Sequence, residues 1–287
     1  MFVVTGITGK VGGTVANRLL EAGQAVRAVV RSEEKGAPWK ARGCEIAVVE
    51  DAGEGDALAR ACEGADGVFL MSPPDYDAEP SFADYRRRAD ATARALVQAK
   101  PGRVVLLSTV GAQATEFNLL NWAHIYEAAL AAAGLPVTFL RAAWFMENAA
   151  WDVAAARDGR IDSYLQPLDH AIEMVSVKDI GRVAADLLRE QGDGVRIIEL
   201  GGPKKYSGND LAAAFASVLN HPVQAVAVPR ESWETMFRAQ GMQHPEARMR
   251  MLDGFNEGWI DFVREGTELH VGSTTLEDVL EALVRSN

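Results

Sequence analysis

The chain has 287 residues, 48% of them apolar and 24% charged, with a mean hydropathy of −0.05. That balance fits a soluble globular protein and excludes a disordered one. Lys and Arg number 29 against 40 Asp and Glu, a formal charge of −11, so phosphate backbones and anionic lipid are repelled and neither nucleic acid nor membrane is an expected partner.

Continuous apolar runs alternate with helical segments through the first two-thirds of the chain. FVVT (2–5) reads as a buried strand and 10–21 as a helix with Val11, Val15, Leu19 and Leu20 on one face. Strands follow at 25–30, 44–50, 67–71, 103–108 and 136–141, separated by Ala-rich helical stretches at 54–63, 79–99 and 118–133. Strands apolar on both faces with intervening helices predict an α/β fold, a doubly wound parallel sheet with right-handed crossovers. Beyond residue 145 the alternation loosens. Helices are expected at 145–158, 178–190, 210–219, 230–240, 245–264 and 274–285, with strands at 175–177, 196–200 and 222–228. The expected organisation is a nucleotide-binding domain over 1–150 and a smaller, mainly helical substrate-binding subdomain over 151–287, some of whose segments return to the sheet.

No apolar stretch reaches the ~18 residues of a membrane helix. The opening MFVVTGITGK lacks a basic region, so no signal peptide is expected. Cys44 and Cys62 form neither a disulfide framework nor a metal spacing, which points to a reducing cytoplasm. His170, His221, His244 and His270 lie far apart with no carboxylate at ligand spacing, so no metal site is expected.

The strongest motif is Thr5-Gly6-Ile7-Thr8-Gly9-Lys10-Val11-Gly12, directly after the first strand and opening the first helix. Gly6 permits the tight turn, Gly9 a close backbone approach to a diphosphate, and Gly12 close packing of helix on strand. Free amides and the positive helix end would then hold the diphosphate. At the end of the second strand, where a carboxylate would select a ribose 2′-hydroxyl, stand Arg31, Ser32 and Lys35. Arginine can grip a phosphate with two donors and lysine adds a point charge, so NADP(H) is favoured over NAD(H). Glu33 and Glu34 oppose that field, and the alternative is a solvated, mixed-charge helix start.

With TGITGKVG, the Arg31/Lys35 pair, Gly134-Leu-Pro-Val-Thr-Phe-Leu-Arg141, Phe145-Met-Glu-Asn148, VSVKDIGRVAADLL (175–188) and GTELHVGSTTLEDVL (266–280), the chain resembles the NmrA-like branch of the atypical short-chain dehydrogenases. That branch contains NADPH-dependent quinone and triphenylmethane-dye reductases alongside dinucleotide-binding regulators without known chemistry. The resemblance implies a Rossmann-type sheet and places Gly6, Thr8, Gly9, Lys10, Val11 and Gly12 at the pyrophosphate and Arg31 and Lys35 at the 2′-phosphate. It places Asp51 near the adenine, Met71, Ser72 and Pro73 at the switch-point crevice, and Ser108 and Thr109 beside the nicotinamide. The segment Ala142–Asn148, with Trp144, would pass the carboxamide and the substrate.

The tyrosine–lysine pair four residues apart, used by many short-chain dehydrogenases, is missing: Tyr126 is followed four residues later by Leu130. Relatives often carry a Lys or His four residues before the position of Glu127; here that is Ala123, with His124 one step, or about 100°, further round the helix. His124, Tyr126 and Ser108 are the candidate catalytic residues, Ser108 as a polariser of a carbonyl or, equally, a loop cap. A quinone or dye needs no protein acid if it is aligned against the nicotinamide, because water can supply the proton. Trp122, Trp144, Phe145, Met146 and Trp151 would wall an apolar cavity, or belong to the core. The Arg86-Arg87-Arg88 run reads as a solvated helix face. The expected function is NADPH-dependent hydride transfer to a small, mostly apolar, electron-poor substrate such as a quinone or enone, by a monomer or homodimer. The alternative is a non-catalytic NADP(H)-binding redox sensor; sugar-nucleotide epimerisation suffers most from the missing pair.

Overall fold

In the computed structural model, all residues except 52, 74, 191 and 287 are described. Phe2–Val4 (β1) leads into Lys10–Glu21 (α1), followed by Val26–Val30 (β2), Glu33–Lys40 (α2), Glu45–Val48 (β3) and Gly55–Cys62 (α3). The chain then returns past β1 to Gly67–Leu70 (β4), Ala83–Ala99 (α4), Val104–Thr109 (β5), Asn121–Ala132 (α5) and Val137–Ala142 (β6). The mixed-charge helix start given as the alternative at 31–35 is present: α2 begins at Ser32, whose hydroxyl accepts from the Lys35 amide, with Glu33 and Glu34 favourably placed in its first turn.

The 145–158 segment is not one helix. Trp144–Phe145 (β7) pairs with Met174–Val175, a 3-10 turn covers Met146–Trp151, and only Val153–Arg157 (α6) is α-helical. Arg160–Ser163 (β8), Ile172–Val175 (β9), Val177–Arg189 (α7), Val195–Gly201 (β10), Lys205–Tyr206 (β11), Gly208–Leu219 (α8) and Gln224–Ala227 (β12) follow. The chain closes with Trp233–Ala239 (α9), Pro245–Glu257 (α10), Glu268–Val271 (β13) and Leu276–Ser286 (α11). The expected 245–264 helix stops at Glu257 because Gly258 turns left-handed at φ 82°.

Among the described residues the central sheet has eight strands in the order β13-β10-β6-β5-β4-β1-β2-β3, and every pairing is parallel. This is the Rossmann-type α/β architecture, completed at one edge by β10 and β13 from the second half of the chain. Val3, Val4, Val68, Phe69, Val105, Leu106 and Leu140 are fully buried along it, as expected for strands covered on both faces. The DIG segment acquires a packing reason. A Cβ on Gly181 of α7 would lie 2.4 Å from the Thr14 methyl of α1, while the buried Asp179 carboxylate accepts from the Thr274 amide at 2.8 Å and fixes the turn after β13. The strand order reverses between β1 and β4, and a crevice opens at their carboxyl ends.

Candidate cofactor and active site

At that crevice Thr5 joins the two strands. Its amide and hydroxyl both donate to the Phe69 carbonyl, at 3.0 and 3.1 Å, and its oxygen accepts from the Met71 amide at 3.0 Å. The chain then reverses at Gly6, whose φ of +61° suits glycine, and where a Cβ would strike the Met71 sulfur at 2.3 Å. A Cβ on Gly12 would sit 2.4 Å from the Gly6 carbonyl oxygen, so the helix approaches the loop this closely only without a side chain. The Gly9 amide is already used, donating to the Gly6 carbonyl at 2.9 Å. The amides of Lys10, Val11 and Gly12, the first three of α1, have no acceptor among the described residues; Gly13 begins the helical ladder by donating to Gly9. Lys10 is exposed, whereas the side chain of Val11 is buried in the helix–sheet packing.

A cleft of about 530 Å³ runs from this loop across the ends of β2, β3 and β4. It brings together Gly6, Thr8, Gly9, Arg31, Lys35, Asp51, Met71, Pro73 and Tyr126 of the residues singled out in the sequence. Arg31 and Lys35 are exposed at its rim and, among the described residues, form no ion pair. The Asp51 carboxylate accepts from the Gly53 amide at 2.7 Å. That bond, helped by Arg88, Arg87 and Arg31, holds its pKa below the usual carboxylate range against burial.

Arg88 is the cleft residue that the sequence reading assigned elsewhere. It lines the cleft from α4, 2.7 Å from Asp84 and 3.9 Å from Asp51, although its neighbours in the RRR run face solvent. Helical spacing was the available signal: Arg88 and Thr92, four residues apart on α4, both line the cleft.

Other expected site residues lie outside the cleft. Ser108 is buried and its hydroxyl donates to Glu127 at 2.6 Å, which commits the proton that would have polarised a carbonyl. Thr109 is half-buried at the end of β5. Glu127 also receives Nε and Nη2 of Arg141 at 3.0 and 2.6 Å, and Arg141 reaches Gln113 at 3.3 Å. His124 is exposed, on the face of α5 away from Tyr126. The expected aromatic wall is dispersed. Trp144 packs edge-on to Phe255 of α10, Trp122 stacks on Tyr85, Met146 is buried and Trp151 is 67% exposed.

Tyr126 is therefore the candidate acid that reaches the cleft. Its ring is buried and meets Trp122 edge-on. Burial raises its pKa, while the hydroxyls of Ser72 and Thr92 pull the other way. Ser72 is itself buried, next in the chain to Met71 beyond the end of β4. Residues fit a dinucleotide here on three counts: three unbonded amides at a helix start, two positions where a Cβ would close the approach, and cations at the rim that form no ion pair.

Residues 6–191 match the NAD(P)H-binding family. The chain belongs to that family. Among curated relatives, the (4-alkanoyl-5-oxo-2,5-dihydrofuran-3-yl)methyl phosphate reductase of Streptomyces griseus is 32% identical over 228 residues, covering 78% of this chain and 76% of that protein. The NAD(P)H azoreductase of Xenophilus azovorans is 27% identical over 258 residues, covering 90% and 85%. The triphenylmethane reductase of Citrobacter sp., solved in complex with NADP(H), shares the fold at a TM-score of 0.83 and 21% identity, covering 99% of this chain and all of that one. The expected resemblance to the NmrA-like reductases stands, and this member of the NAD(P)H-binding family falls among NAD(P)H-dependent reductases; the sensor reading is not favoured. No helix among the described residues is long and apolar enough to cross a membrane.

Proposed function

We propose that this chain is an NADPH-dependent reductase of small, mostly apolar, electron-poor acceptors such as quinones or enones. The observation that carries the reading is the cleft itself. It begins at Gly6, Thr8 and Gly9, directly before the unbonded amides of Lys10, Val11 and Gly12; Arg31 and Lys35 stand at its rim without an ion pair, and Tyr126 lines it. In this reading Gly6, Thr8, Gly9 and the α1 amides hold the diphosphate, and Arg31 and Lys35 hold the 2′-phosphate and exclude its absence by affinity. Asp51 lies at the adenine end, and Met71, Ser72 and Pro73 floor the crevice.

When bound, the reduced nicotinamide supplies the hydride. The protein excludes water and aligns the acceptor by the apolar floor of Met71, Leu70 and Leu106. Tyr126, whose pKa is raised by burial, keeps its proton at neutral pH and holds it inside the cleft as a donor to the acceptor oxygen. Ser108, tied to Glu127, positions β5 against α5 and does not donate to substrate. Two relatives named as reductases, one of a butenolide and one of azo compounds, support conjugated electron-poor acceptors.

The test is loss of NADPH absorbance across 1,4-naphthoquinone, a butenolide and an azo dye. Turnover of at least one is expected. Tight NADPH binding with no turnover of any of them contradicts the proposal.

A further inference from the structure

Arg248 stands on α10, one turn beyond its start at Pro245. It is half-buried, and among the described residues no carboxylate forms an ion pair with it; its guanidinium's hydrogen bond runs to the Met242 sulfur at 3.6 Å. The guanidinium lies 4.4 Å from the ring centre of Phe237 and 5.7 Å from that of Tyr76. Asp152 and Asp162 act on the neighbouring Tyr164 phenol, yet neither pairs with Arg248. The buried guanidinium of Arg141, by contrast, is paired with the Glu127 carboxylate. An arginine held against aromatic faces without a counter-ion is stabilised by the rings, but its charge is left unneutralised and open to an anion.

Its position joins it to the cleft. Met71 and Pro73 line the cleft, and the same β4–α4 connection carries Tyr76 and then Asp77. The Asp77 carboxylate accepts from the Gln243 amide at 2.9 Å and from the His244 amide at 2.6 Å, which pins this connection to the start of α10. Further along α10, Phe255 meets Trp144 just beyond β6. The helix therefore spans from one carboxyl-end connection of the sheet to another, on the side where substrate enters. Tyr76 and Trp151, 42% and 67% exposed, meet edge-on at 6.3 Å beside it and offer a stacking surface at that mouth.

We propose that Arg248 is the specificity residue for an anionic group on the acceptor, gripping a phosphate, sulfonate or carboxylate while the conjugated ring lies against Tyr76. The substrate is thereby apolar at its reducible end and anionic at the other. This inference rests on the reductase reading for its substrate but not for its binding test.

The kinetic arm compares 1,4-naphthoquinone-2-sulfonate with 1,4-naphthoquinone for the wild type, Arg248→Met and Arg248→Lys. The ratio of kcat/KM for the sulfonate over the neutral quinone is expected to fall about 10- to 100-fold in Arg248→Met, through KM, with part of the loss recovered by Arg248→Lys. An unchanged ratio in both variants overturns the proposal. The binding arm titrates the non-reducible 2-naphthalenesulfonate into the NADP-loaded proteins by calorimetry. At least about 10-fold weaker binding to Arg248→Met is expected, and equal affinity overturns the proposal whether or not either quinone turns over. If neither quinone is reduced, the reductase reading fails and the calorimetric arm alone decides Arg248. If Arg248→Met does not fold, Arg248→Gln is read in its place, and a sulfonate affinity equal to that of the wild type overturns the proposal.

Discussion

Arg141 on β6 donates from Nε and Nη2 to the two carboxylate oxygens of Glu127 on α5, at 3.0 and 2.6 Å, with both side chains more than nine-tenths buried. The pair locks α5 against the sheet, and the residue next to Glu127 is Tyr126, so the ion pair sets where the phenol points. Removing one member strands the other charge in a low-dielectric site. Glu127→Ala is expected to cost about 3–5 kcal/mol in urea unfolding, while the double replacement Glu127→Leu with Arg141→Met recovers most of it. A single-mutant loss below about 1 kcal/mol would mean that the pair is solvated.

Arg31 at the rim has no carboxylate to release before it takes a phosphate. Arg31→Ala should weaken NADPH binding about 10- to 100-fold and NADH binding far less, read from fluorescence titrations. Equal losses for the two coenzymes would remove Arg31 from the 2′-phosphate.

Much of this was legible from the residues. The parallel core strands are runs such as Val104–Leu107, apolar on both faces, and the loop from Thr5 to Gly12 carries its glycines where backbone meets backbone. What escaped depends on partners distant in the chain. Ser108 could not be read as tied because its acceptor lies 19 residues away and is itself oriented by Arg141. Phe145 was expected to open a helix but pairs with Val175 as a strand residue. β13 has a largely exposed pattern and belongs to the sheet only through its pairing with β10. Arg88 was hidden in a charge run, where one side chain in three turns inward.

Tyr126 and His124 separate cleanly. Tyr126→Phe should lower kcat by about 10²-fold on an acceptor that needs a proton, with NADPH affinity nearly unchanged, whereas His124→Ala should alter neither. Because burial raises the phenol's pKa, the alkaline fall in kcat should have its midpoint above that of a free tyrosine. A fall with a midpoint below the ordinary tyrosine value would contradict the assignment.

Asp152 has no hydrogen-bond donor to its carboxylate among the described residues, and burial, aided by Asp162, pushes its pKa up to about 6. A folded-state pKa above the unfolded value of 3.8 means that the folded state binds the proton more tightly. Stability therefore falls as pH rises from about 4 to about 6, and the penalty is complete above that window. Asp152→Asn should stabilise by about 1–2 kcal/mol at pH 7.5 and by little at pH 4, measured by thermal unfolding. Equal effects at both pH values would place the carboxylate in solvent.

The central claim is that helix-start amides and an unpaired arginine form a site for the phosphorylated coenzyme. Calorimetric titration of the wild-type protein with NADPH and with NADH tests it directly. Saturable binding of one NADPH per chain, tighter than that of NADH, is the predicted result; no heat with either coenzyme, or tighter binding of NADH, would contradict it.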